Sequence, residues 1–408
     1  MLGKQKSKKQ KTNILNHHNQ MSEIRVTNVL GENGNSSVNF TQGINMSGIV
    51  TAISFVPTQG QLSHRNLIIN GGMTIAQRGT SQSVTSATTY GVDRFFASNP
   101  TGSQVQTASQ ETDAPVGLYK SLKVTCTTAN TNITSSVGDQ AKIEYRIEGS
   151  DLAYVQLGTS NAQTLSVSFY VKSNKTGNSA IGLINYSNNR SFVHQFNIAS
   201  ADTWQRISFT VAGDTSGTWV KDTGIGMRMR WGSFGTNHQT GTFDAWQAGQ
   251  FMGTSNSPIN FNSATSDYLQ ITGVQVELGP VATPFEHRSI GDELRRCQRY
   301  FFIISGNNGT RTGIPAYANS TSTVRAMVTF PTAMRQLPSL TGTTTAMVFD
   351  SSDDSSSFNC NTLSAGGGPT NSNPTQMVIE ADPGGMTAGQ GGQLEFRATG
   401  SLSFSADL

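Results

Sequence analysis

The chain has 408 residues, of which 35% are hydrophobic and only 13% charged, with a formal net charge of +3. So few acid–base groups speak against an enzyme. There is no apolar run long enough to span a bilayer and no apolar segment behind the basic start, which argues against membrane insertion and a secretion signal. Residues 1–20 hold Lys4, Lys6, Lys8, Lys9 and Lys11 and no acid, so without those five the +3 becomes −2. The body therefore lacks the basic surface of a nucleic-acid-binding domain, and no nucleic-acid partner is expected.

In chain order, residues 1–20 read as a basic disordered tail. Met21 offers a second translation start. Residues 21–65 carry short β-prone pieces, "EIRVTNVL", "SVNFTQGI" and "SGIVTAISF". These hold too few large apolar residues to close a core. They read either as an attachment and trimerisation segment sheltered by identical copies or as a flexible linker.

Residues 66–288 read as a β-sandwich. "LSVSFYVKS" sets Leu165, Val167, Phe169 and Val171 against Ser166, Ser168, Tyr170 and Lys172. "KIEYRIEG", "WQRISFTVAG" and "IGMRMRW" alternate in the same way, the period of antiparallel strands with one face in water. On that reading Glu144 and Glu148 are solvated beside Lys142 and Arg146. In "YLQITGVQVELG" the parity shifts between Ile271 and Val274, which predicts a β-bulge near Thr272-Gly273. The three cysteines, Cys126, Cys297 and Cys360, are odd in number and scattered, so they frame neither a disulfide set nor a metal site. Cys126 falls on the apolar face of a strand and is expected to be buried.

Residues 289–302 read as a linking helix. Ser289 caps it, with Asp292 three residues on, and Ile290, Leu294, Cys297 and Phe301 form an apolar stripe. Residues 303–408 return to β, with strands such as "TVRAMVTFP" and "QLEFRATGSLSF" separated by Gly/Ser/Asn loops. The fold class is thus all-β: an extended N-terminal segment, a sandwich, a short helix and a small C-terminal β-domain.

Several strings resemble those of bacteriophage virion proteins, especially tail fibres and other host-facing proteins of marine phages. "NLIINGGMTIAQRGTS" with "YGVDRFF" resembles the opening of a module found in such fibres. "WQRISFTVAGD", "FDAWQAGQF" and "YLQITGVQVELGPVATPFEHRS" resemble its later strands. That module is similar to the jelly-roll carbohydrate-binding modules of glycoside hydrolases. "SEIRVTNVLGENG" and "GINMSGIVTAISF" resemble the N-terminal segment of cyanobacterial-phage structural proteins, and "ELRRCQRYF" the start of the small domain that follows the module. The likeness covers most of residues 21–345. It implies a homotrimeric structural or adhesive protein of the virion, contacting other virion proteins through residues 21–62 and host surface polysaccharide through the jelly roll. A capsid-decoration, head-fibre or neck role and a polysaccharide depolymerase are the alternatives.

Sugar-binding sandwiches stack flat aromatic rings on pyranoses and bond the hydroxyls with amides and carboxylates. The candidates are Trp231, Phe234, Asn237, His238, Gln239, Asp244 and Trp246, with Trp219 nearby in sequence. Trp231 and Trp246 also fit strand cores. Phe234 and His238 lie in the Gly-rich stretch "GSFGTNHQTG", where an aromatic has less structural reason to be. No Ser-His-Asp order, paired-acid motif or phosphate loop is recognisable, so no catalytic residue is assigned. No cofactor is implied beyond a structural calcium, for which Asp93, Asp151 and Asp244 are the candidates.

Overall fold

Alternating apolar residues make two-faced strands, and here two sheets of them meet face to face. The computed structural model describes residues 64–85, 88–98, 105–131, 141–306, 313–344, 347–352, 356–366 and 372–408. What was expected of residues 1–62, the basic tail and the oligomerisation segment, lies outside the described residues. The sandwich strands are β1 (Ser81–Val84), β2 (Thr89–Val92), β3 (Phe95–Ser98), β4 (Val105–Glu111), β5 (Ser121–Thr128), β6 (Ala141–Glu148), β7 (Leu165–Lys172) and β8 (Gly177–Asn185). They continue as β9 (Arg190–Ile198), β10 (Gln205–Val211), β11 (Ile225–Ser233), β13 (Trp246–Ala248) and β15 (Tyr268–Leu278), while β12 (Gln239–Thr240) and β14 (Gly253–Thr254) pair with each other outside the two sheets. One sheet runs β1-β4-β5-β15-β7-β10 and the other β13-β9-β8-β11-β6-β3-β2. β15 between β5 and β7, and β11 between β8 and β6, are the crossovers of a jelly roll.

The inward faces are those that the alternation marks. Leu165, Val167, Phe169 and Val171 of β7 are buried, as are Ile143, Tyr145 and Ile147 of β6 and Met227, Met229 and Trp231 of β11. Phe169 meets Trp231 edge-on across the sheets, ring centroids 5.7 Å apart. The bulge falls where parity shifts, with the β15–β7 register slipping between Thr272 and Gln275. Gly273 sits there at φ +59°, where a Cβ would strike Leu118 and Tyr170. Cys126 is buried, and all three cysteines are free thiols.

The strand-poor residues 66–76 use buried amides in place of a ladder. The Asn66 side chain bonds the backbone of Ile68, Val274 and Val276, and that of Asn70 bonds Ile75 and Asp93. A short helix α1 (Gly149–Leu152) follows β6, and α2 (Ile290–Gln298) leaves the sandwich with the Ser289 hydroxyl accepting from Asp292 N at 3.1 Å. The expected apolar stripe of α2 needs correction: Ile290 is 67% exposed. The inward face carries Glu293, which accepts from Asn70 N, together with Cys297. The turn that it packs against needed an acceptor as much as an apolar neighbour. Cys297 and Tyr300 then close a small cluster with Ile69 and Ile75.

Beyond α2, Phe301–Gly306, Gly400–Ser405 and Ser339–Gly342 make a three-stranded sheet beside one of seven strands. They enclose a second core, with Val324, Phe349, Met377, Leu394 and Phe404 among its members. Both cores belong to one unit, Pro57–Leu408.

Polar contacts join them. Glu148 takes Arg299 in a two-pronged pair (2.6 and 3.0 Å), the Tyr300 hydroxyl (2.6 Å) and the Ser150 hydroxyl (3.0 Å). Arg94 lies 3.5 Å from the Tyr300 ring centroid, and Arg78 lies 3.5 Å from that of Phe301 and pairs with Asp407. The expectation that Glu144 and Glu148 are solvated is overturned, since each is 1% exposed. Their face of the sheet is covered by segments remote in sequence.

Glu148→Ala removes the partner of Arg299, which keeps a third of its side chain exposed. The expected cost is about 2–4 kcal/mol, low for a buried pair because water still reaches the arginine. Calorimetry should resolve one melting transition in the parent and two, one per core, in the variant. Burial alone would raise the pKa of Glu144, but Arg230, Lys142 and Arg146 hold it down at about 2 against an ordinary 4.5. Its stabilisation is complete above pH ~4.5 and is lost as pH falls towards ~2. Glu144→Gln should lower the melting temperature at neutral pH and flatten its decline below pH ~4.5.

Candidate functional site

The outer face of β6 and β11 is built from the polar half of the alternation. β6 presents Lys142, Glu144, Arg146 and Glu148; β11 presents Arg228 and Arg230, with Arg228 opposite Arg146 and Arg230 opposite Glu144. Glu144 gathers these cations: Arg146 Nε at 2.7 Å, Arg230 Nε at 2.8 Å, and Lys142 Nζ and Arg228 Nε at 3.7 Å. Crowding has a price in protonation. Burial, then Arg230, lowers the pKa of Lys142 to about 8 and that of Arg228 to about 10.

Three covers lie over this face. One is the segment 233–258, which folds back so that Phe234 and Met252 pack on Ile184 and Met252 Sδ accepts from Arg230 at 3.4 Å. A Cβ on Gly182 would come within 2.4 Å of Met252 Cα, so the close approach requires glycine there. The second cover is the β8–β9 hairpin turn. Asn185 braces it by accepting from Asn189 N and Arg190 N, and Arg228 Nη1 donates to Tyr186 O (2.8 Å) and Asn188 Oδ1 (2.9 Å). The third is the end of the C-terminal domain, where Arg146 donates to Leu408 O.

Between the hairpin and the C-terminal domain a pocket of about 360 Å³ stays open. It is lined by Tyr186, Val220, Asp222, Ile225, Arg335 and Leu408, with Gly224 at its edge. The Tyr186 ring is 52% exposed, with the Arg228 guanidinium carbon 5.3 Å from its centroid. Val220, Ile225 and Leu408 supply apolar surface. Asp222 is exposed on the rim, one of its oxygens accepting from Gly224 N at 2.8 Å. Arg335 fixes the far wall through Thr223 O, Ala406 O and Asp407 O at 2.7–2.9 Å. This combination, a flat ring, apolar flanks and a hydroxyl-bonding rim, suits a sugar ring. Asp222 is the one carboxylate side chain in the lining.

The sequence candidates are spread over three places, none of them this pocket. Trp231 is fully enclosed in the core and offers a ligand no face. Phe234 and His238, expected to be exposed on a glycine-rich loop, are 3% and 6% exposed because that loop is itself a cover. His238 Nδ1 donates to Gln250 O, Gln239 Nε2 donates to Phe234 O, and Asn237 is exposed nearby. Asp244 and Trp246 stand at the sandwich edge. Asp244 pairs with His194 at 2.6 Å, while Trp246 packs on Trp219 and donates to Ala212 O. Asp93 is held by the backbone and side chain of Gln77, and no cluster of three or more metal-capable side chains occurs among the described residues, so the calcium candidates do not converge. Tyr186 was missed, although "NYSNNR" places an aromatic ring in a polar turn, which is the available signal.

A second, smaller recess of about 220 Å³ lies between Tyr119 and the segment Phe285–Arg288. Its two carboxylates are occupied structurally: Glu286 accepts from Arg65 N and Asn66 N, Glu293 accepts from Asn70 N, and both meet Arg288.

No family model matches the chain, and no curated protein matches it. Among solved structures the chain is similar to the enzymatically active domain of bacteriophage CBA120 tailspike protein 4, at 11% identity and TM-score 0.28 over 52% of this chain and 21% of that one. The match thus spans about a fifth of the tailspike domain's length. A CBM4 module matches at 12% identity and TM-score 0.26 over 52% of this chain and 98% of the module. TmCBM61, solved with β-1,4-galactotriose, matches at 8% identity and TM-score 0.22 over 53% of this chain and 99% of the module. Likeness at these scores transfers no activity to this chain.

Proposed function

We propose that this chain is a non-enzymatic glycan-binding protein of a phage particle, a homotrimeric tail fibre that attaches to host surface polysaccharide. The observation that carries the binding role is the Tyr186 pocket. A half-exposed ring stands over apolar flanks with Asp222 at its rim, in a recess large enough for a short saccharide. The setting of Asp222 supports binding over hydrolysis, since hydrolysis needs a second carboxyl group across the bond. The virion role rests on the strings that resemble phage fibre modules. Trimerisation rests on the β-prone residues 21–65, too poor in apolar bulk to fold alone.

Stacking on Tyr186 accounts for much of the affinity in this reading. Tyr186→Ala should weaken binding of purified full-length protein to host cells or their extracted polysaccharide about tenfold, with the melting temperature unchanged. Binding that survives the substitution unaltered would move the site elsewhere. Sedimentation should show three chains in one particle, and a stable monomer at micromolar concentration would remove the fibre assignment.

A further inference from the structure

We propose that the recess beside Tyr119 is a second saccharide site, one that takes a single neutral sugar ring. This rests on the glycan-binding reading of the chain but not on the Tyr186 pocket, with which the recess shares no lining residue.

Three rings border this recess of about 220 Å³: Tyr119, Phe285 and His287. Phe285 and His287 meet edge-on, ring centroids 5.2 Å apart at 85°. Tyr119 is 68% exposed, and His287 is exposed too. Lys120, which is outside the lining, lies 4.9 Å from the Tyr119 ring centroid, so the recess meets the other face of that ring. Both walls are fixed from behind. The loop that carries Tyr119 is tied down where Ser121 Oγ donates to Asp113 O (2.5 Å) and Thr272 Oγ1 donates to Lys120 O (2.6 Å). The opposite wall hangs on Glu286 N, which donates to Gln275 Oε1 (2.8 Å), and on Arg288, which donates to Ile68 O and Asn66 O. The carboxylates of Glu286 and Glu293 are taken up by backbone N–H groups and by Arg288. What is left for a ligand is aromatic surface, with the Tyr119 hydroxyl and the His287 ring nitrogens beside it. None of these polar atoms is hydrogen-bonded among the described residues. Rings that present apolar faces next to unused hydrogen-bonding groups match the C–H face and hydroxyls of a pyranose. Two carboxylates against one guanidinium in the lining disfavour an acidic sugar. The volume restricts the ligand to one ring, a chain end or a branch.

Calorimetric titration of the full chain tests this with neutral hexasaccharides of galactan, mannan and β-glucan and with an oligogalacturonate. At least one neutral probe should fill two sites per chain, and Tyr119→Ala and Tyr186→Ala should each leave one. The melting temperature of Tyr119→Ala should stay unchanged, because its ring is exposed. His287→Ala should weaken the same site about tenfold. Stoichiometry and affinity unaltered by Tyr119→Ala overturn the second site and leave the Tyr186 pocket standing. A single site that Tyr119→Ala abolishes and Tyr186→Ala spares upholds the recess and overturns the other pocket. Oligogalacturonate bound there as tightly as the neutral probes overturns the neutral selection. Binding of none of the four overturns both sites.

Discussion

The Glu144 carboxylate is the constraint on which the outer face depends. Removing it would leave four cations together in a poorly hydrated space, where Coulomb repulsion is no longer weakened by bulk water. Its effect reaches beyond neutralisation, because three of its partners each hold a different cover. Arg228 grips the β8–β9 turn, Arg230 the segment at Met252, and Arg146 the chain at Leu408. The pairing also fixes β6 against β11. A slip of one residue would swing Glu144 into the apolar core and Tyr145 out of it, so the ion cluster and the core favour the same register.

Glu148, four residues on, joins the sandwich to the second core in a similar way. Its two oxygens accept from Arg299, Tyr300 and Ser150, and the Tyr300 ring lies beneath Arg94. The pocket therefore has walls from two cores: Tyr186, Val220 and Asp222 from the sandwich, Arg335 and Leu408 from beyond α2. Neither core alone would present it. A seam held by directional bonds fixes the walls of the pocket against each other, and for the proposed glycan role such preorganisation would reduce the ordering that binding requires.

The strands were legible because alternation reports a local property, one apolar face per strand. The Ser289 cap and the bulge at Gly273 were legible for the same reason. Which polar faces meet water was not. Arg206, Ser208 and Thr210 on β10 alternate like Arg228 and Arg230 on β11, yet the first set is exposed and the second buried. The difference lies in segment 233–258 and in the chain end near residue 408, and no local period encodes where those segments settle. The same cause misplaced the aromatics. Phe234 and His238 looked free because glycines surround them, but glycine also lets a loop lie flat on a sheet. Gly182 shows this, with Met252 against its Cα.

The covers also limit what the face can hold. Segment 233–258 closes one side and the chain end another, leaving a recess of about 360 Å³ in place of a long groove. Such a volume is at the small end for a ligand pocket and takes a short saccharide or a branch of a polymer. Few contacts fit within it, so the affinity of one pocket is modest. In the proposed reading, attachment by so small a site draws its strength from several copies engaging one polymer-bearing surface together.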